Sequence, residues 1–166
     1  MSAVYLDSSS LLAVVFGQVD SEPTWTGFDQ VFTSSLTWVE VSRTLHRMER
    51  EQPLFDARAA MAAVFDVGRA VTTVELTPAI QRRAADPFPN TIRTLDAIHL
   101  ATALLIRETE QPDLVFATHD RQQAQVARSL GFGVIGNREI AEGRPEASPP
   151  RVALPHPPAP SSALGG

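Results

Sequence analysis

Apolar positions in this chain come in short runs that switch between two periods. Val4–Leu6, Val31–Thr33, Val71–Val74, Leu114–Ala117 and Val134–Ile135 are brief runs rich in branched residues, the composition of β-strands. Between them, Ser9–Phe16, Thr37–Arg50, Phe55–Arg69, Pro78–Ala85, Thr94–Glu108 and Asp120–Leu130 carry helical patterns. In the second of these, Trp38, Val41, Leu45 and Met48 line one stripe. Gly131 follows the last helix as a C-cap and leads into the final strand. Strands separated by helices predict an α/β fold in three layers. Its centre is a mostly parallel sheet of about five strands, with helices on both faces. In such sheets functional groups gather beyond the carboxyl ends of the strands.

Polar residues that break this pattern are the candidates for chemistry. Asp7 and three serines interrupt two apolar segments, Val4–Leu6 and Leu11–Phe16. In TLDAIHLATALLIRE, apolar residues surround most of the helix and leave a polar strip of Asp96, His99 and Arg107. A helix apolar nearly all round is a buried one, and a buried carboxylate is costly unless it is paired or bound to a metal. Asp120 closes LVFATHD and opens the next helix, with Thr118 placed to set a hydroxyl beside it. Glu40 points away from the apolar stripe of its helix, on the face carrying Arg43, Arg47 and Arg50.

Each acid also has an ordinary structural reading. Asp7 and Asp120 suit helix N-caps. Glu40 suits a capping box with Thr37 or a surface ion pair with Arg43. Asp96 suits the positive end of a helix dipole. Convergence favours a shared site. Asp7 and Asp120 follow strands, Glu40 and Asp96 are expected in the first turns of helices that follow loops, and adjacency of the first and fourth strands would bring all four together. Clustered carboxylates repel and raise one another's pKa values. A hard, oxygen-seeking cation such as Mg2+ or Mn2+ relieves that repulsion. On this reading Asp7 is a metal ligand held at a strand end, with serines as polar supports.

Composition narrows the classes. At 166 residues, with 43% apolar and 20% charged residues, the chain is ordinary for one soluble globular domain. Without cysteine there are no disulfides or thiolate metal sites, so a metal must be held by oxygen or imidazole. All 14 basic residues are arginine. No apolar run approaches the roughly 18 residues of a membrane span, and Asp7 interrupts what would be a signal h-region, so a cytoplasmic location is expected. Residues 1–142 carry 12 arginines against 18 acids, a net of −6. If this domain handles phosphates, a cation must neutralise some of those acids. Residues 143–166 contain seven prolines and no apolar period; they are expected to form a disordered tail.

The segments VYLDSSSLL, SLTWVEVSRTL, TLDAIHLATAL and FATHDRQQAQVARSLGFGVI, in this order, resemble the PIN domain. They are most similar to VapC-type toxin ribonucleases of bacterial toxin–antitoxin pairs. The resemblance covers roughly residues 3–136. DAIHLATA and the T-x-D with its following helix are its most specific parts. It implies that Asp7, Glu40, Asp96 and Asp120 form an acidic catalytic site, with Asp7, Asp96 and Asp120 as metal ligands. Ser8 and Thr118 would then support the site or position substrate. It also implies Mg2+- or Mn2+-dependent hydrolysis of RNA phosphodiesters, a homodimer and a cognate antitoxin that blocks the site. Some relatives carry a further acid after the T-x-D aspartate; here Arg121 and Gln122 follow, which argues against a second metal.

His99 is expected to pack within the site wall, His46 and His119 to lie on the helix surface and a loop, and Trp25 and Trp38 to be core or interface residues. Arg43 and Arg47 are either a solvated face or phosphate contacts. The apolar helices Ser9–Phe16 and Phe55–Arg69 are candidates for a groove that takes an antitoxin helix. Phosphotransfer receivers and haloacid-dehalogenase-type phosphatases also place acids at strand ends, but both need a lysine. The remaining alternative is a non-catalytic PIN-like binding module that acts through protein or RNA contacts.

Overall fold

The computed structural model describes residues 1–17, 25 and 27–136 of the chain. Elements follow in the order β1 (Ala3–Leu6), α1 (Ser8–Val15), β2 (Gln30–Ser34), α2 (Ser35–Glu51), α3 (Ala57–Gly68), β3 (Thr72–Val74), α4 (Pro78–Ala85), α5 (Thr94–Thr109), β4 (Val115–Ala117), α6 (Arg121–Ser129) and β5 (Gly133–Ile135). Each expected strand and helix is present, with small shifts at the ends. The proline-rich segment 143–166 lies outside the described residues.

The five strands form one parallel sheet in the order β3-β2-β1-β4-β5. Central β1 is buried along its whole length, as a strand covered on both faces must be. Its side chains alternate between two cores. Tyr5 joins Phe32, Phe116, Leu100, Leu104 and Val126, which fixes α5 and α6 on one face. Val4 and Leu6 join Val31 and Ala117 on the other, where Val67 of α3 packs against them. Leu11, Val41, Leu45 and Val64 then bind α1, α2 and α3 to one another. Trp38 packs against this last cluster and donates its Nε1–H to Thr73 at 3.0 Å. Among the described residues, no helix is long and apolar enough to cross a membrane.

α2 departs from expectation at its start. The Ser34 hydroxyl accepts from the Leu36 amide at 3.2 Å, so Ser34 is the N-cap and the helix begins at Ser35. Thr37 therefore lies inside the first turn, buried, with its hydroxyl 2.7 Å from that of Thr33. The Thr37–Glu40 capping box does not form. Glu40 sits in the second turn of a helix that β2 enters directly, not in the first turn after a loop.

Candidate active site

Register explains why distant acids meet. Leu6 and Ala117 are paired between β1 and β4, and the Asp7 amide extends the ladder to the Ala117 carbonyl at 3.2 Å. Asp7 and Thr118 are therefore the first residues beyond two adjacent strand ends. The sheet order turns at this point, where open parallel sheets leave a crevice. The Thr118 hydroxyl donates to Asp7 Oδ2 at 2.6 Å, and Asp7 Oδ1 accepts from the Ser10 amide at 2.8 Å. Ser9 donates to the same carboxylate at 2.8 Å while accepting from the His119 amide at 2.8 Å. Asp7 is thus the N-cap of α1 as well as a candidate site residue. It is only 4% exposed, and among the described residues every hydrogen bond it accepts comes from a neutral donor.

Thr118 also ties Asp7 to Asp120. Its hydroxyl oxygen accepts from the Asp120 amide at 3.0 Å, and Asp120 Oδ1 caps α6 by accepting from the Gln123 amide at 2.9 Å. Buried Gln123 touches Thr118 Oγ1 at 3.0 Å through its amide oxygen, leaving Nε2 without a partner. The single Thr118 proton already belongs to Asp7. Turning the Gln123 amide by a half rotation lets Nε2 donate to Thr118 and satisfies both groups.

Glu40 enters from α2. Its Oε2 lies 2.7 Å from His99 Nε2 on α5 and also accepts from the Ser8 hydroxyl. Of the readings open for Glu40, the surface pair with Arg43 gives way to an inward contact. His99 is only 2% exposed, and its Nδ1 meets the Tyr5 hydroxyl at 2.8 Å. Burial first, and the nearby Asp7 charge second, hold the Tyr5 hydroxyl well above its ordinary pKa. Tyr5 therefore keeps its proton and can donate it to Nδ1 in the tautomer whose ring proton sits on Nε2, facing Glu40. Burial alone would raise the Glu40 carboxyl. Hydrogen bonds from His99 and Ser8 outweigh it and hold Glu40 below the ordinary range.

Asp96 and Asp120 share an unexpected partner. Arg93, at the N-cap of α5, donates Nε–H to Asp96 Oδ2 at 3.1 Å and Nη2–H to Asp120 Oδ2 at 2.8 Å. Burial pushes Asp96 above the ordinary carboxylate range. Arg93 opposes this through charge and hydrogen bonding, while Asp120 adds to it. The two acids do sense one another's charge, as a shared site requires.

All four acids therefore stand at one end of the sheet in two hydrogen-bonded groups, Glu40 with Ser8 and His99, and Asp7 with Thr118, Asp120, Arg93 and Asp96; the two groups meet only through the backbone at Asp7–Ser8. Among the described residues, no three His, Asp or Glu side chains yet close around one point where an ion would sit. The donor chemistry nonetheless fits a hard cation. The donors are carboxylate oxygens, and Asp7 is a buried carboxylate whose hydrogen bonds supply no positive charge. Arg43 and Arg47 are exposed on α2. Arg93 and Gln123 are the residues that sequence reasoning missed. Arg93 was findable as the i,i+3 partner of Asp96; Gln123 needed the fold.

Similarity to known proteins agrees with this geometry. The PIN domain family model matches residues 4–129. The chain is 31% identical over 140 residues to Ribonuclease VapC45 of Mycobacterium tuberculosis (strain CDC 1551 / Oshkosh), covering 81% of this chain and 95% of that protein. It is 30% identical over 138 residues to Ribonuclease VapC35 of the same organism, covering 80% and 95%. Among solved structures it resembles PAE2754 from Pyrobaculum aerophilum, with a TM-score of 0.57 and 19% identity over 80% of this chain and 83% of that one. A toxin–antitoxin complex from Klebsiella pneumoniae gives a TM-score of 0.56 and 23% identity over 84% of this chain and all of the matched one. These two share the fold. The parallel sheet, the acids at its carboxyl end and the family match make the chain a member of the PIN domain family.

Proposed function

We propose that this protein is a metal-dependent endoribonuclease that hydrolyses RNA phosphodiester bonds and acts as the toxin of a toxin–antitoxin pair. The observation that carries this reading is the meeting of Asp7, Thr118 and Asp120 at two adjacent strand ends, with Asp96 tied to Asp120 and Glu40 reaching in through His99 and Ser8. The names of its ribonuclease relatives give the chemistry its class.

In this reading Asp7, Asp96 and Asp120 would hold the cation, Mg2+ or Mn2+ by the hardness of their oxygens. The cation supplies charge stabilisation at the phosphoryl oxygens and an activated water. The chain's own residues supply the setting. Thr118, Ser9 and the Ser10 amide fix both oxygens of Asp7, so that this carboxylate costs little to orient. Glu40, held ionised by His99 and Ser8, is the acceptor for a proton leaving the attacking water, at Oε1 or Oε2. Arg43 and Arg47, exposed on the helix that carries Glu40, lie where RNA phosphates would approach. A homodimer and a cognate antitoxin complete the proposal. The partner helix would engage α1 and α3, which pack together through Leu11, Val64 and the Phe16–Phe55 edge contact at 6.1 Å.

Substituting Asp96→Asn tests the reading. It keeps size while removing one charge and one ligand. RNA cleavage is expected to fall by at least about 10²-fold, the scale lost with an electrostatic group at a charged transition state. The metal-free protein is expected to melt higher, because burial disfavours the Asp96 charge. Mg2+ should then raise the melting temperature less than in the wild type. A helix-dipole role alone gives near-normal cleavage and an unchanged Mg2+ response. RNA binding with no cleavage, with or without EDTA, would favour the non-catalytic binding module.

A further inference from the structure

We propose that Arg93 is a built-in counter-ion of the acidic site, which a divalent cation must displace in order to bind. The inference rests on the metal-nuclease reading and adds to it a residue that competes for the metal's ligands. Its basis is geometric. One guanidinium spans Asp96 Oδ2 at 3.1 Å and Asp120 Oδ2 at 2.8 Å. These are two of the three carboxylates assigned to the cation, so guanidinium and cation contend for the same oxygens.

Arg93 is also built to leave. Its side chain is 69% exposed, whereas those of Asp96 and Asp120 are only 16% and 29% exposed. It stands at the N-cap of α5 without making a side-chain capping bond, so α5 loses no cap when the side chain swings out. The loop that carries it is held separately, by Gln122 Nε2 donating to the Thr91 carbonyl at 2.8 Å. The acids therefore keep their positions when the guanidinium departs. Exposed arginine–carboxylate pairs are weak, so a doubly charged ion bound by three carboxylates displaces one readily. While it remains, Arg93 relieves the repulsion between Asp96 and Asp120 that otherwise strains the metal-free fold.

The test is metal binding, separate from cleavage. The full-length protein and its Arg93→Gln variant are titrated with MnCl2 by calorimetry, and each is melted in EDTA and in excess Mn2+. The variant is expected to bind Mn2+ about fivefold more tightly, the scale of two exposed ion pairs. It should also melt lower in EDTA and gain more from Mn2+ than the wild type. Arg93→Lys retains a charge without the two-toothed reach and should fall between the two. Equal or weaker Mn2+ binding by Arg93→Gln overturns the role of Arg93 while leaving the nuclease reading intact. If neither protein takes up Mn2+, both this inference and the metal reading on which it rests are overturned.

Discussion

At Glu40 and Asp96, burial and hydrogen bonding act in opposite proportions, and this gives two carboxylates of one site opposite effects on stability. Glu40 is held below the ordinary range, burial being outweighed by His99 and Ser8. Its stabilisation is complete above the unfolded carboxylate value, about 4, and is lost as pH falls through the lower folded value. Asp96 is raised by burial. Folding favours its protonated form, so its contribution falls as pH rises from the unfolded value through the folded one. Urea midpoints measured between about pH 3 and 6 should therefore show a shallower acid-side loss in Glu40→Gln than in the wild type. A profile parallel to the wild type would show that Glu40 gains nothing from its partners. His99 joins the two halves of this argument, because it is buried between Tyr5 and Glu40. His99→Leu leaves both groups short of a partner and is expected to cost about 2–3 kcal/mol, read from denaturant unfolding.

At the scale of the element, α5 was the most legible and α2 the least. The unbroken apolar surround of Asp96 and His99 identified α5 as buried, and Leu100, Ala101 and Leu104 are indeed within the core. Leu100→Ala, at a fully buried position, should cost about 3 kcal/mol. In α2 the apolar stripe was read correctly through Val41 and Leu45. On its opposite face the stripe alone does not separate a surface Glu40 from one that converges with the other acids; the structure turns Glu40 inward to His99 of α5. A hydrophobic stripe reports which face is buried against apolar neighbours; it is silent about a polar face buried against histidine. The short strand β5 raises a separate point. Gly136, just beyond it, has φ +86°, and a Cβ there would stand 3.1 Å from the Thr118 carbonyl oxygen. Gly136→Ala should cost about 1–2 kcal/mol from the left-handed backbone. Because the crowded atom belongs to Thr118, cleavage is expected to fall as well; an unchanged rate would separate β5 from the site.

For the whole molecule, two predictions concern what surrounds the domain. Removing residues 143–166, which have no apolar period to bury, is expected to leave the melting temperature within about 3 °C and cleavage unchanged. A larger drop would show that this segment packs on the domain. Co-expression with the product of the neighbouring gene should suppress toxicity to the host cell, and lack of binding between the two would remove the antitoxin from the proposal. The class of fold, its order of strands and helices, and the four acids could all be read along the chain, because they depend on local period and on which polar residues interrupt it. The absence of cysteine likewise limits any metal ligands to oxygen and imidazole, and the absence of lysine removes receiver and dehalogenase-type phosphatase chemistry. What depended on the fold was who meets whom. Pairing of Leu6 with Ala117 set Asp7 beside Thr118 across 111 residues, and packing of α5 across the sheet brought His99 to both Tyr5 and Glu40. The bridging of Asp96 and Asp120 by Arg93 belongs to the same class. Strand register and helix docking are fixed by burial summed over the whole core, so contacts between residues remote in the chain follow only once that core is assembled.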